Sequence, residues 1–122
     1  MPDDTFATHG PEGNVSVDAL AWAEDELRAA GVRVVVIAFP ENPILQAPEA
    51  RAVIDPRLAD AIAARLASDA HAHGARFVDL RAFLEPDDFY DLIHPNRSGA
   101  RKLSVRLAHL IAEEWHARTA DR

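Results

Sequence analysis

Apolar positions along this chain alternate between two spacings, and the switches divide it into elements. Val17, Leu20, Ala21 and Leu27 recur at the spacing of one helical face, and Gly31 follows as a stop. Ser16 stands at the head of this pattern, where its hydroxyl can accept from the open N–H groups of a first turn. The run Val32–Phe39 is β-branched and apolar, with no polar alternation, and Pro40 ends it. Such a run predicts a strand buried on both faces of a parallel sheet. Residues 40–54 hold three prolines and no regular period, which predicts a long loop. Asp55-Pro56 combines a capping side chain with proline at the first helical position, and Leu58, Ile62 and Leu66 mark a helical face that runs to Gly74. A second strand is predicted over Arg76–Leu80. After a loop with Pro86, Asp87 and Asp88, a last helix starts near Asn96 to Ser98 and carries the stripe Leu103, Leu107, Leu110, Ile111 and Trp115.

The predicted order is α-β-α-β-α, and the step from helix end through glycine into strand occurs twice, at Leu27–Val34 and Ala70–Phe77. The expected fold class is therefore α/β: parallel strands joined by right-handed helical crossovers, with helices on both faces. Residues 1–15, with two prolines, two glycines and no apolar period, read as a loose tail ahead of a single domain over residues 16–118. A chain of 122 residues has room for one small domain and not for two. Two strands alone leave unpaired edges. Either a partner, a second copy included, completes the sheet, or these residues are part of a longer domain, and the second explanation is the favoured one.

Charge and composition narrow the function classes. The formal charge is −7, from 20 acidic and 13 basic residues, and no basic stripe interrupts it. Nucleic-acid binding is excluded as an expectation on that balance. Apolar residues make up 48%, enough for a packed core. Without cysteine there is neither a disulfide nor a thiolate metal site. Residues 1–10 lack the basic and apolar regions of a signal peptide. The longest apolar run, Val34–Phe39, is far shorter than the roughly 20 residues that span a bilayer. The expectation is a soluble chain, cytoplasmic by default, with no cofactor.

Candidate chemistry concentrates in Phe89–Gly99, which follows the second strand and so falls at the carboxyl edge of the sheet, where ligands bind in open α/β folds. Asp91 lies three residues before His94, close enough in a tight turn to bring a carboxylate to the imidazole Nδ1–H. Such a carboxylate selects the tautomer and leaves Nε2 free as a base. Pro95 keeps His94 out of a continuous helix, and Asn96 or Ser98 caps the helix that follows. The same Asp-x-x-His step can also be a capping and turn arrangement without chemistry.

The string Phe-Tyr-Asp-Leu-Ile-His-Pro-Asn-Arg-Ser-Gly-Ala over Phe89–Ala100, followed by a long amphipathic helix, resembles the last block of the SGNH/GDSL hydrolase superfamily. The residues Gly31–Pro40 and Ala75–Leu80 are similar to its late strands. The resemblance implies a partial three-layer, flavodoxin-like α/β/α fold, the C-terminal half of an SGNH domain. It makes Asp91 the acid and His94 the general base of a serine esterase or O-acyltransferase acting on a small-molecule or carbohydrate acyl ester. It departs from the family in lacking the Gly-Asp-Ser block and the later glycine and asparagine that stabilise the oxyanion, as though an N-terminal half were missing. Of the serines, Ser68 and Ser104 fall inside predicted helices, Ser98 in a cap region, and Ser16 reads as a cap. Alternatives are a non-catalytic remnant that oligomerises through its sheet edge, and a metal-dependent hydrolase using His94 with nearby aspartates. The other histidines do not favour metal: His71 and His73 are two apart on a helix and face different ways, His109 and His116 read as surface positions, and His9 lies in the tail. Asp87-Asp88 and Glu41-Asn42 read as solvated loop, Glu113-Glu114 as the wet side of the last helix, and Trp22 and Trp115 as core or interface.

Overall fold

A computed structural model describes residues 15–49 and 55–120. The expected tail up to Asn14, His9 included, lies outside these residues, as does part of the proline-rich loop, 50–54. Three helices dominate: α1 (Val15–Ala29), α2 (Pro56–Ala72) and α3 (Arg97–Ala120). Between them lie two short strands, β1 (Val35–Ala38) and β2 (Arg76–Asp79), paired in parallel with Val35 opposite Arg76 and Ala38 opposite Asp79. The partial α/β reading and the order α-β-α-β-α hold for these residues.

Local chemistry explains each boundary. Asp55 caps α2, its Oδ1 accepting from the Arg57 N–H at 2.9 Å, and Pro56 occupies the first position. Both helices ahead of a strand end in the same way. Gly31 takes φ +77° and the Val32 N–H returns to the Leu27 carbonyl at 2.9 Å. Gly74 takes φ +72° and the Ala75 N–H returns to the Ala70 carbonyl at 2.8 Å. A left-handed residue that closes the last turn is the usual place for glycine, because a β-carbon would be strained there. The chain then turns straight into β1 or β2.

The best-buried cluster joins Leu80, Leu103 and Leu110, with Ile37, Val78 and Leu107 packed on it. Ile37 and Val78 thus face α3, while the alternate residues Val36 and Ala38 point away from it and are also buried. On α2 the fully buried positions are Ala63 and Ala70, small residues that let the helix sit close to both strands.

The structure corrects several expectations. The first strand is four residues long, and Val32 and Phe39, at its predicted ends, are 47% and 53% exposed. A strand with one neighbour gains hydrogen bonds only where β2 runs beside it, and β2 is equally short. The first helix already includes Val15, so Ser16 sits inside its first turn and not ahead of it. Of the core-or-interface reading of Trp22 and Trp115 the core half falls away, since they are 67% and 63% exposed, and Ile111 is likewise on the surface. The buried positions of α1 are Val17 and Glu24, while Leu20 and Leu27 turn outward.

Glu24 is the least expected of these. It is 1% exposed and neither carboxylate oxygen has a hydrogen-bond partner among the described residues. Loss of water raises its pKa above the usual carboxylate range, partly offset by the positive potential of His73. A group whose folded pKa is raised destabilises the fold once pH exceeds its unfolded value and has no such effect at lower pH, where both states are protonated. Glu24→Gln is therefore expected to stabilise the chain at neutral pH by about 1–2 kcal/mol, and by much less near pH 4. Urea unfolding of both proteins at the two pH values checks this, and equal stability at neutral pH would contradict it.

Candidate active site

The loop after β2 is built around one buried carboxylate. Asp88 is 3% exposed and closes the turn Pro86–Asp88 by accepting from the Glu85 N–H at 3.1 Å. It also accepts from Ser98 Oγ at 3.0 Å and from Lys102 Nζ at 2.9 Å on α3. Lys102 first, then the Glu85 N–H, hold its pKa below the usual range. Asn96 supplies the rest of the join. Its Oδ1 caps α3 by accepting from the Gly99 N–H at 3.1 Å, and its backbone N–H donates to the Asp88 carbonyl at 2.8 Å. Gly99 packs so closely here that a β-carbon would land on that carbonyl oxygen. The expectation that Asp88 is solvated loop fails, because three donors converge on it and offset its burial.

From this anchor the chain makes a narrow excursion that carries Asp91 and His94. Phe89 bridges to Pro95, and the Tyr90 N–H donates to the His94 carbonyl at 2.8 Å. Inside the turn, Asp91 Oδ1 accepts from the backbone N–H groups of Ile93 and His94 at 2.9 and 2.7 Å. Its other oxygen, Oδ2, lies 2.7 Å from His94 Nδ1. The aspartate thus shapes the turn with one oxygen and holds the imidazole with the other. Asp91 is pulled down to about 2, first by the Ile93 amide and then by the His94 ring and amide. His94 is 67% exposed, and Nε2 has no hydrogen bond to a described residue. With Nδ1 engaged, the open nitrogen is the one able to take a proton.

Asn42, just beyond β1, ties this turn to the sheet. Its Nδ2 donates to the Asp91 carbonyl at 3.0 Å, its backbone N–H reaches the Leu92 carbonyl at 3.3 Å, and its Oδ1 caps a short 3-10 turn, Pro43–Gln46. It is 9% exposed, which overturns its reading as solvated loop. An asparagine before a proline signals a cap, and that much was readable. The bond to a residue 49 positions away was not. Beside Asn42 opens a cleft of about 390 Å³ that Glu41, Pro43, Gln46, Asp60, Asp79 and Arg81 also line. Arg81 spans it, bonded to Asp79 and to Asp60, each at 2.9 Å.

None of the four serines meets His94. Ser16 and Ser68 lie within α1 and α2, Ser98 Oγ is engaged with Asp88, and Ser104 Oγ donates to the Ala100 carbonyl at 2.8 Å. Among the described residues no three His, Asp or Glu side chains converge as a metal site would need. No described helix is long and apolar enough to cross a membrane.

Two measurements probe this geometry. Carbon NMR should place the Asp91 carboxyl midpoint near 2. In His94→Ala the midpoint is expected to rise but stay below the ordinary value of about 3.9, since both amide donors remain. Because the folded value is the depressed one, the turn's contribution is present above about pH 3.9 and fades as pH falls toward 2. Gly99→Ala is expected to cost about 1–3 kcal/mol in urea unfolding and to move the Asp91 and His94 resonances.

No protein-family model matches the chain, no curated protein matches it, and neither does any solved structure.

Proposed function

We propose that this chain is the base-bearing half of an SGNH-type serine acyl-ester hydrolase or acyltransferase. His94 is the general base, Asp91 its orienting acid, and the serine comes from a segment outside these residues. The observation that carries this reading is the 2.7 Å pairing of Asp91 Oδ2 with His94 Nδ1 in a loop that follows a parallel strand. In the reaction, Nε2 takes the proton of a serine hydroxyl as its oxygen attacks the acyl carbon. Asp91 stabilises the resulting imidazolium, which then protonates the departing alcohol.

The arrangement of α3 on the Ile37 and Val78 face, with Val36 and Ala38 buried on the opposite face, supports a three-layer α/β/α domain. In such a domain further strands extend the sheet beyond β1 and β2. Without its nucleophile the pair has nothing to activate, since members of a triad act as a unit. A second reading, an interaction domain that assembles through a sheet edge, is favoured by the exposed Phe39 directly after β1.

A serine-directed fluorophosphonate probe, read by intact mass on the wild type and on His94→Ala, tests the proposal. The chain alone is expected to remain unlabelled. Supplied with a polypeptide bearing a strand and Gly-Asp-Ser turn, the mixture is expected to label that serine and to lose the label with His94→Ala. Label on one of the chain's own serines would refute the division of labour. Stable association without any labelling would favour the interaction domain.

A further inference from the structure

At the sheet edge opposite the Asp91–His94 turn, the two helix-to-strand turns lie around a cleft of about 370 Å³. Its walls carry Arg28 near the end of α1, Arg33 ahead of β1 and Arg76 at the start of β2, against the single carboxylate of Glu114. Arg33 and Arg76 share Glu114 at 3.0 and 3.3 Å, and Arg76 also reaches Glu113 at 2.8 Å. Both guanidinium groups are therefore already engaged, and Arg33 makes a further contact besides. Arg28 has no carboxylate partner among the described residues, and Glu24, one turn earlier, leaves both its oxygens unpaired and does not supply one.

Arg28 lies against the second of the two turns. Its side chain crosses Gly74 so closely that a β-carbon there would meet Nε at 2.8 Å and Cδ at 3.1 Å. Glycine at this position satisfies the turn and also leaves room for the guanidinium. The dipole of α1 favours one cation at its end, but it does not account for three arginines converging on one concavity. On a chain of net charge −7, three arginines lining one concavity are a local concentration of cationic groups.

We propose that this cleft binds a phosphate group, with Arg28 as its main charge partner and with Arg33 and Arg76 exchanging Glu114 for the anion. Guanidinium forks match the oxygen spacing of phosphate, and three of them from separate elements can surround a doubly charged, three-oxygen group. The cleft is roomier than phosphate alone requires, which favours a phosphate monoester of a small organic molecule. The site is independent of the proposed hydrolase chemistry at the other edge.

The test is a titration at constant ionic strength with inorganic phosphate, glycerol phosphate and acetate, following the Gly31 and Gly74 amides and Arg28 Nε by NMR. Saturable shifts are expected with both phosphates, and tighter binding of the glycerol ester would identify the monoester as the source. Arg28→Gln is expected to weaken binding by about ten-fold. Glu114→Gln is expected to tighten it several-fold, because it removes the anion's competitor. Arg57→Gln, on the first turn of α2, serves as the charge control and is expected to change nothing. Shifts that do not saturate, that persist unchanged in Arg28→Gln or that acetate reproduces equally would overturn the proposal. So would weaker binding by Glu114→Gln.

Discussion

The parallel pairing of β1 with β2 sets the plan of the molecule. Parallel strands place like ends together, so one register of four residue pairs determines what meets at each edge. At the amino edge it brings two glycine-closed helix ends side by side, and with them Arg28, Arg33 and Arg76. At the carboxyl edge it lets Asn42, just past β1, reach the turn that follows β2. Slipping either strand by one residue would turn its own core side chain, Ile37 or Val78, away from Leu103 and Leu110 and part both sets of contacts. The sheet is small, yet both polar sites depend on its alignment.

Much of this plan is legible in the sequence, for local reasons. Gly31 and Gly74 mark turns because only a left-handed residue closes a helix in that way, and Asp55-Pro56 marks a start because both residues act within one turn. The Asp91–His94 pair is legible for the same reason, since its contacts span two or three residues. What escapes is long-range. Lys102 reaches Asp88 across 14 residues, and Asn42 reaches Asp91 across 49. Nothing in the local pattern says which member of an acidic loop finds such a partner and goes inside.

The helix faces show the same limit. A stripe containing Leu20 and Leu27 predicts a buried face, yet α1 buries Val17 and Glu24 and leaves both leucines partly exposed. On α3, Leu103 and Leu110 pack against the sheet while Ile111 and Trp115 do not. Periodicity identifies an apolar face, but the width of the surface available decides how much of it is covered. Two strands offer a narrow strip, so each helix buries one row of residues and leaves the next row outside.

The turn that holds His94 has a consequence for inheritance. Most of its hydrogen bonds close within Tyr90–His94, so the entropic cost of its local part is that of a very short loop, while Asn42 holds the Asp91 and Leu92 carbonyls from outside. Most of what shapes it can therefore be retained or erased by a few adjacent codons, with Asn42 the distant residue that holds it to the sheet. The arginine cleft has the opposite character. It exists only where two helix ends and two strand starts coincide, and separate changes in any of four segments would dissolve it.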